Sequence, residues 1–203
     1  GDTAAALGKA AQRVAADFEF PYLAHASMEP LNCIVELRAG ECEIWTGAQF
    51  QTFDQQKAAE ITGLTPEQVK INTLFAGGSF GRRAVPDSDY IAEAVTIAKA
   101  IDGRAPVKLQ WTREDDMRGG RYRPMHFHRL TGGVDAGGNV TAWQQRIVGQ
   151  SLVKGTALEA FMLKDGIDSS SVEGAGTPYA IANMRIEAQH PDVGVPVLWW
   201  RSV

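Results

Sequence analysis

The sequence predicts an α+β fold, with mixed sheets and helices packed against them. Three observations predict it. Two runs of strand period, 32–38 and 41–47, flank an Ala-Gly pair and read as a hairpin. The run 86–103 places Ile91, Ala94, Val95, Ala98 and Ile101 near helical spacing and ends at Gly103. The run 125–150 reads as two long strands joined at "DAGGN". Strands and helices alternate only in part, which favours α+β over a doubly wound sheet.

The elements follow in order. Residues 3–14 are alanine-rich and suit a helix. "VAADFEF" (14–20) alternates weakly and reads as a strand. In the 32–47 hairpin, Arg38 faces Glu41 and Leu37 faces Cys42. Cys33 then falls opposite Thr46, too far along for a disulfide with Cys42. Two thiols are also too few for a structural zinc site, so both read as ordinary buried or half-buried side chains.

Residues 50–64 read as a helix stopping near Gly63, and "TPEQ" (65–68) as a capped turn with proline just after the cap. Residues 69–76 and 106–112 have strand period. With the helix between them they form a βαβ unit, so some parallel pairing is expected. Residues 112–117 start a short helix, with Thr112 as cap and Asp115 completing a loose capping box. Residues 151–177 are mixed, with 165–176 a loop, while 183–190 and 195–200 read as strands.

Composition excludes some partners. The net charge is −4 and no basic stripe stands out, which argues against nucleic acid. No apolar run approaches the roughly 20 residues of a membrane helix. The start has no signal-peptide pattern. The last residues, "VPVLWWRSV", break off inside an apolar run, so the chain is expected to be a piece of a larger protein.

The stretch "LFAGGSFGRRAVPD" (74–87) is a glycine-rich turn between a strand and a helix. Gly77, Gly78 and Gly81 are spaced G-G-x-x-G. That is neither the dinucleotide fingerprint nor the P-loop, and no Lys–Ser/Thr pair serves a nucleotide phosphate. Glycines there free backbone N–H groups to converge on an electron-rich group. Arg82 and Arg83 add positive charge. On spacing alone, a tight turn with solvated arginines explains the stretch equally well.

The wording of several segments resembles a known family. "GGSFGRR" is similar to the G-G-x-F-G loop of the molybdenum hydroxylases, the xanthine oxidase and aldehyde oxidoreductase family. "FPYLAHASMEPLNCIVEL", "IWTGAQFQT", "PVKLQWTREDDMRGGRYRP" and "VLWWRSV" match it in the same order. "AHASMEP", "GGSFGRR" and "WWRSV" are most similar to the isoquinoline 1-oxidoreductase β-subunit type. The resemblance runs along nearly the whole chain.

It implies roles that spacing does not. Gln49 would donate a side-chain N–H to an oxo ligand of molybdenum; on the residues alone it is a turn residue. Phe80 and Gly81 would offer backbone N–H groups to the same region, with Gly78, Ser79 and Arg82 completing the cofactor contacts. Arg201 would line the substrate pocket; on the residues alone it is a strand-end surface charge. Ala84 stands where purine-oxidising members carry a glutamate, which argues against a purine substrate and suits a neutral aromatic N-heterocycle or an aldehyde. The cofactor implied is molybdenum–molybdopterin cytosine dinucleotide, and the partner a small 2Fe-2S subunit. The family's general base would lie beyond Val203, so this piece is expected to be inactive alone, with little or no bound cofactor. The domain reading follows: 1–20 as the tail of a preceding domain, 21–112 as the lobe with the glycine loop, and 113–203 as a truncated hairpin-rich segment.

Other constellations carry less. Glu114, Asp115 and Asp116 read as a solvated helix cap. His126 and His128 share a strand face without an evident third ligand, and read as surface histidines. His25 reads as a packing residue, and the arginines of "RGGRYRP" as a solvated basic turn. Two rival functions stand beside the resemblance: a non-catalytic module binding an anion or nucleotide, and a structural lobe.

Overall fold

The computed structural model describes residues 1–200. In chain order its principal elements are α1 (Thr3–Lys9), β1 (Gln12–Phe20), β2 (Asn32–Arg38), β3 (Glu41–Thr46), α2 (Gln51–Thr62), β4 (Val69–Thr73), α3 (Asp89–Ala100), β5 (Val107–Gln110), α4 (Arg113–Arg118), β6 (His126–Val134), β7 (Val140–Gly149) and β8 (Asn183–Gln189). Mixed sheets carry packed helices, so the fold is α+β. The chain divides into two compact units. Residues 24–121 form one, and residues 1–23 form the other together with the chain from Tyr122 onward.

In the 24–121 unit the sheet order is β4-β3-β2-β5. The β2–β3 hairpin has the expected register, with Arg38 opposite Glu41 and Leu37 opposite Cys42. β3 and β4 pair in parallel, Cys42 opposite Val69, and α2 is their crossover. β2 and β5 pair antiparallel. The expected parallel pairing is therefore present, but between β3 and β4. The β4–α3–β5 connection spans the whole sheet, because the β2–β3 hairpin sits between its two strands.

α2 and α3 cover one face of this sheet. Tyr90, Ile91, Ala94, Val95 and Ala98 of α3 are buried against Leu31, Cys33, Val35 and Ile44. Each large apolar side chain buried this way contributes roughly 1.5–3 kcal/mol. α2 stops at Gly63, whose φ of 81° is the left-handed cap conformation that glycine adopts without a Cβ penalty. Cys33 and Cys42 are buried free thiols. Burial pushes Cys33 up to about 12 and Cys42 up to about 11, so neither is reactive.

In the other unit the sheet order is β1-β6-β7-β8. β1 pairs antiparallel with β6 from Gln12–Val134 to Phe20–His126, so residues 12–20 are the edge strand of this sheet. The "DAGGN" hairpin joins β6 to β7, with Asp135 Oδ1 accepting from the N–H groups of Gly137 and Asn139. β7 and β8 are parallel. α1 lies against Gly133, where a Cβ would sit 3.2 Å from Leu7 Cδ2.

Three stretches differ from expectation. Residues 12–14, expected to continue the first helix, already pair with β6 as the start of β1. Residues 165–176 hold a two-residue hairpin (Leu163–Lys164 with Ile167–Asp168), a helical turn at Ser169–Val172 and a 3-10 turn at Glu173–Ala175. Among the described residues, 195–200 make one bridge, Val197 with Tyr122. Prolines and local apolar content say nothing about whether a neighbouring strand is there to pair with, which is why that stretch looked more regular in sequence.

Candidate functional site

The glycine turn lies in the 24–121 unit, where the chains leaving the parallel strands β3 and β4 run side by side. Leu74 N–H donates to Thr46 O at 2.9 Å, extending the pairing beyond β4. A Cβ at Gly47 would sit 2.6 Å from Ala76 Cβ, so the two segments touch only because residue 47 is glycine. That approach carries Gln49 to the turn.

Glu29 anchors the turn's first glycine. Gly77 N–H donates to Glu29 Oε2 at 2.5 Å, and Glu29 N–H donates back to Gly77 O at 3.1 Å. A Cβ at Gly77 would lie 2.6 Å from Glu29 Cβ. The Asn32 amide, then the Gly77 N–H, and last the charge of Arg83 hold the Glu29 carboxyl below its usual range.

The turn itself runs through left-handed backbone. Gly78 has φ 96°, Phe80 φ 57° and Gly81 φ 104°. A phenylalanine in that region is strained by order 1–3 kcal/mol, a cost that persists where the surroundings fix it. The surroundings do so with Arg82 N–H to Ser79 O (3.1 Å), Ala84 N–H to Gly81 O (3.0 Å) and Arg83 N–H to Ser79 Oγ (2.9 Å). Ser79 Oγ then donates its own hydrogen to Gln49 Oε1 at 2.5 Å. The amide of Gln49 is thereby oriented: its oxygen faces Ser79, and its two N–H groups are left for another acceptor. Gly81 is buried, and its N–H meets no acceptor among the described residues.

The two arginines are buried, not solvated. Arg82 pairs with Asp89 through two hydrogen bonds, 2.6 and 3.3 Å, and its guanidinium lies 5.5 Å over the Trp111 ring. Arg83 lies 6.0 Å from the Tyr90 ring centroid and reaches the carbonyls of Glu29 and Pro30 at 3.5 Å. Its Nε and Nη1 have no hydrogen-bond partner. These side chains turn into the fold, so the turn is fastened from beneath by two cations. Glu29 and Asp89, which fasten them, were not singled out by the sequence. The Asp-Ser-Asp run ahead of a helix was the available signal for Asp89.

The remaining candidates scatter. Of the three acids, Asp115 forms the capping box with Thr112, while Asp116 is buried and pairs with Arg113 at 2.6 Å. His126 and His128 are half-buried, 5.8 Å apart between ring centroids, and not surface residues. No cluster of three metal-ligating side chains exists among the described residues. His25 is buried. Arg121 and Arg123 are half-buried, Arg121 against Asp87 and Arg123 donating to Pro21 O. Arg201 lies outside the described residues. No helix among the described residues is long and apolar enough to cross a membrane.

Comparison with known proteins is consistent along the chain. Residues 1–190 match the model of the molybdopterin cofactor-binding domain family. The chain is 29% identical over 180 residues to isoquinoline 1-oxidoreductase subunit beta of Brevundimonas diminuta, covering 88% of this chain and 22% of that protein. It is 31% identical over 186 residues to a membrane-bound, pyrroloquinoline-quinone aldehyde dehydrogenase of Gluconacetobacter polyoxogenes, covering 88% of this chain and 24% of that protein. The chain thus spans less than a quarter of these relatives. Among solved structures, the aldehyde oxidoreductase of Desulfovibrio gigas superposes with a TM-score of 0.71 at 22% identity, over 93% of this chain and 20% of that one.

Proposed function

Because this chain belongs to the molybdopterin cofactor-binding domain family, we propose that it is the part of a longer oxidoreductase subunit that holds the molybdenum end of the cofactor. The subunit would hydroxylate an aromatic N-heterocycle or oxidise an aldehyde, with water as the oxygen source. The cofactor is read as molybdopterin cytosine dinucleotide. A small 2Fe-2S partner subunit would take the electrons.

One observation carries this reading: the Ser79 hydroxyl holds Gln49 by its oxygen, next to a turn of left-handed residues. The donor set suits an anionic, oxygen-bearing group. Gln49 offers amide N–H groups, and the buried Gly81 offers a backbone N–H that has no acceptor among the described residues. When bound, the cofactor supplies the two-electron redox chemistry. The residues of this chain supply fixed dipoles aimed at negative charge, which need no reorganisation during the reaction. Gly78 and Gly81 let the backbone turn tightly enough to present Phe80 and Gly81. Ser79 orients Gln49. Arg82 supports the turn through Asp89 and adds its field to the site. Arg201 is assigned to the substrate pocket from the family resemblance.

The test is expression of the full subunit containing this chain, together with its small partner. Metal analysis should find stoichiometric molybdenum, and acid hydrolysis should release CMP. Gln49→Ala should lower turnover of an N-heterocycle or aldehyde by about 100-fold. Absence of molybdenum from the wild-type complex, or unchanged turnover in Q49A, would overturn the proposal.

A further inference from the structure

β1 is the outer strand of the β1-β6-β7-β8 sheet, and among the described residues no strand pairs with its free edge. All nine residues, Gln12–Phe20, are exposed. A strand of that length runs about 30 Å and leaves half of its N–H and C=O groups on the open side. Folded proteins normally blunt such an edge with proline, lysine, a bulge or a very short strand. β1 has none of these. "QRVAADFEF" holds neither proline nor lysine. Its pairing with β6 runs from Gln12–Val134 to Phe20–His126 without a break. An edge built this way is a template for another strand.

The residues of the edge say which strand fits. Val14, Ala16, Phe18 and Phe20 lie on the sheet face that carries His126 and His128, and Arg13, Ala15, Asp17 and Glu19 lie on the other. A second copy related by a two-fold axis through Ala16 would run antiparallel to the first, with like faces on the same side. In that register Arg13 stands opposite Glu19 of the second copy, Val14 opposite its Phe18, and Ala15 opposite its Asp17, each pair occurring twice. Opposite charges and β-branched–aromatic pairs are the favourable cross-strand contacts, and no like charges meet. Arg13 spends only its Nε, on Leu7 O at 2.6 Å. Glu19 enters no ion pair among the described residues, while Asp17 is held by Arg129 at 2.8 Å and would face alanine. Other registers do worse. An axis at Asp17 sets that carboxylate against its own copy, and an axis at Ala15 leaves Glu19 and Phe20 beyond the paired region. A one-residue slip sets every side chain against the wrong face.

We propose that β1 is a dimerisation edge, along which two copies of this chain pair antiparallel through Gln12–Phe20 and join their sheets into one. Val14 and Phe18, 56% and 46% exposed, are the apolar pair that the contact covers. No residue of the glycine turn takes part, so the proposal stands or falls apart from the molybdenum assignment.

Sedimentation equilibrium of the 203-residue chain from about 1 to 100 µM spans the affinities of a small interface. The mass should rise from monomer towards dimer, and the amides of 12–20 should gain exchange protection over the same range. Arg13→Glu and Glu19→Arg each turn two attractive pairs into repulsive ones, and each should weaken association by about tenfold or more. An equimolar mixture of R13E and E19R should associate again, because each copy then offers the charge that the other lacks. Should R13E fold poorly on losing its bond to Leu7 O, E19R and the exchange profile decide. The same dilution series on the longer subunit should show the same concentration dependence. A monomer at every concentration, a dimer that the charge reversals leave unchanged, or β1 amides protected equally at every dilution, the mark of another segment of the same chain on this edge, would overturn the proposal.

Discussion

Ser79 donates its hydroxyl hydrogen to Gln49 Oε1 at 2.5 Å, while the same hydroxyl oxygen accepts the Arg83 N–H at 2.9 Å. One side chain thus ties the chain leaving β3 to the turn leaving β4. It also decides which end of the Gln49 amide is used up within the protein.

The two partners should separate on substitution. Gln49 is exposed, so Q49A should change unfolding free energy by less than about 0.5 kcal/mol. Its cost should appear in turnover of the assembled enzyme. Ser79 is buried, and S79A leaves the Arg83 N–H without an acceptor. That should cost about 1–3 kcal/mol in urea melts of the chain. Equal stability loss in both variants would mean that Gln49 is a structural turn residue.

The Arg82–Asp89 pair is a stability element. Arg82 is 1% exposed, and Asp89 holds both its guanidinium and the Tyr90 N–H at the start of α3. Asp89→Ala strands a buried cation and should destabilise by about 3–5 kcal/mol. The double variant Arg82→Met with Asp89→Leu should recover much of that loss, because it removes the charge as well as its partner. Chemical denaturation of the two variants checks this.

Much of the fold was legible because its signals are local. The Arg38–Glu41 register, the Gly63 cap, the Thr112–Asp115 box and the "DAGGN" turn each depend on residues within a few positions. The neighbour of β4 was not legible. Local pattern says that β4, α3 and β5 form a crossover, but whether the β2–β3 hairpin lies between the strands is decided by packing. The site divides in the same way. Its glycines announce a turn, whereas the burial of Arg82 and Arg83 depends on Asp89, Trp111, Tyr90 and the Glu29 and Pro30 carbonyls. Solvated arginines and buried ones read alike in sequence.

Asp168 shows what composition conceals in a stretch that reads as loop. Its Oδ2 accepts from Ser151 Oγ at 2.7 Å and Leu152 N–H at 2.8 Å, and its Oδ1 from Ser170 N–H at 3.0 Å and Ser170 Oγ at 2.6 Å. Burial alone would raise this carboxyl. The hydroxyls of Ser170 and Ser151, followed by the Leu152 N–H, outweigh it and leave the carboxyl below its usual range. Asp168→Ala should therefore cost at least about 3 kcal/mol. Amide exchange should accelerate across 151–175 before β6 and β7 are affected. Uniform acceleration through the whole unit would contradict a local fastening.

Two groups, the half-buried His126 and the buried Asp54, should give the chain opposing pH responses. His126 is lowered from 6.5 to about 4, chiefly by burial and then by the charges of His128, His190 and Arg123, against Asp168. Between those values the unfolded chain holds a proton that the folded chain does not, so stability present above pH 6.5 is lost as pH falls towards 4. Asp54 is raised from 3.8 to about 6, chiefly by burial, with the Ser88 hydroxyl opposing and the Asp89 charge adding. Here the folded chain holds the extra proton, so the contribution is full below pH 3.8 and is lost as pH rises through 6. Each linkage is worth on the order of 2 kcal/mol, allowing for solvent screening at the half-open His126. Thermal melts of wild type, His126→Gln and Asp54→Asn between pH 7 and 4.5 separate the two. H126Q should lose less stability than wild type on acidification, and D54N should lose more. Carboxylates stabilised elsewhere contribute equally to all three proteins and cancel in the comparison. Parallel curves for the three would show that neither group changes its protonation on folding.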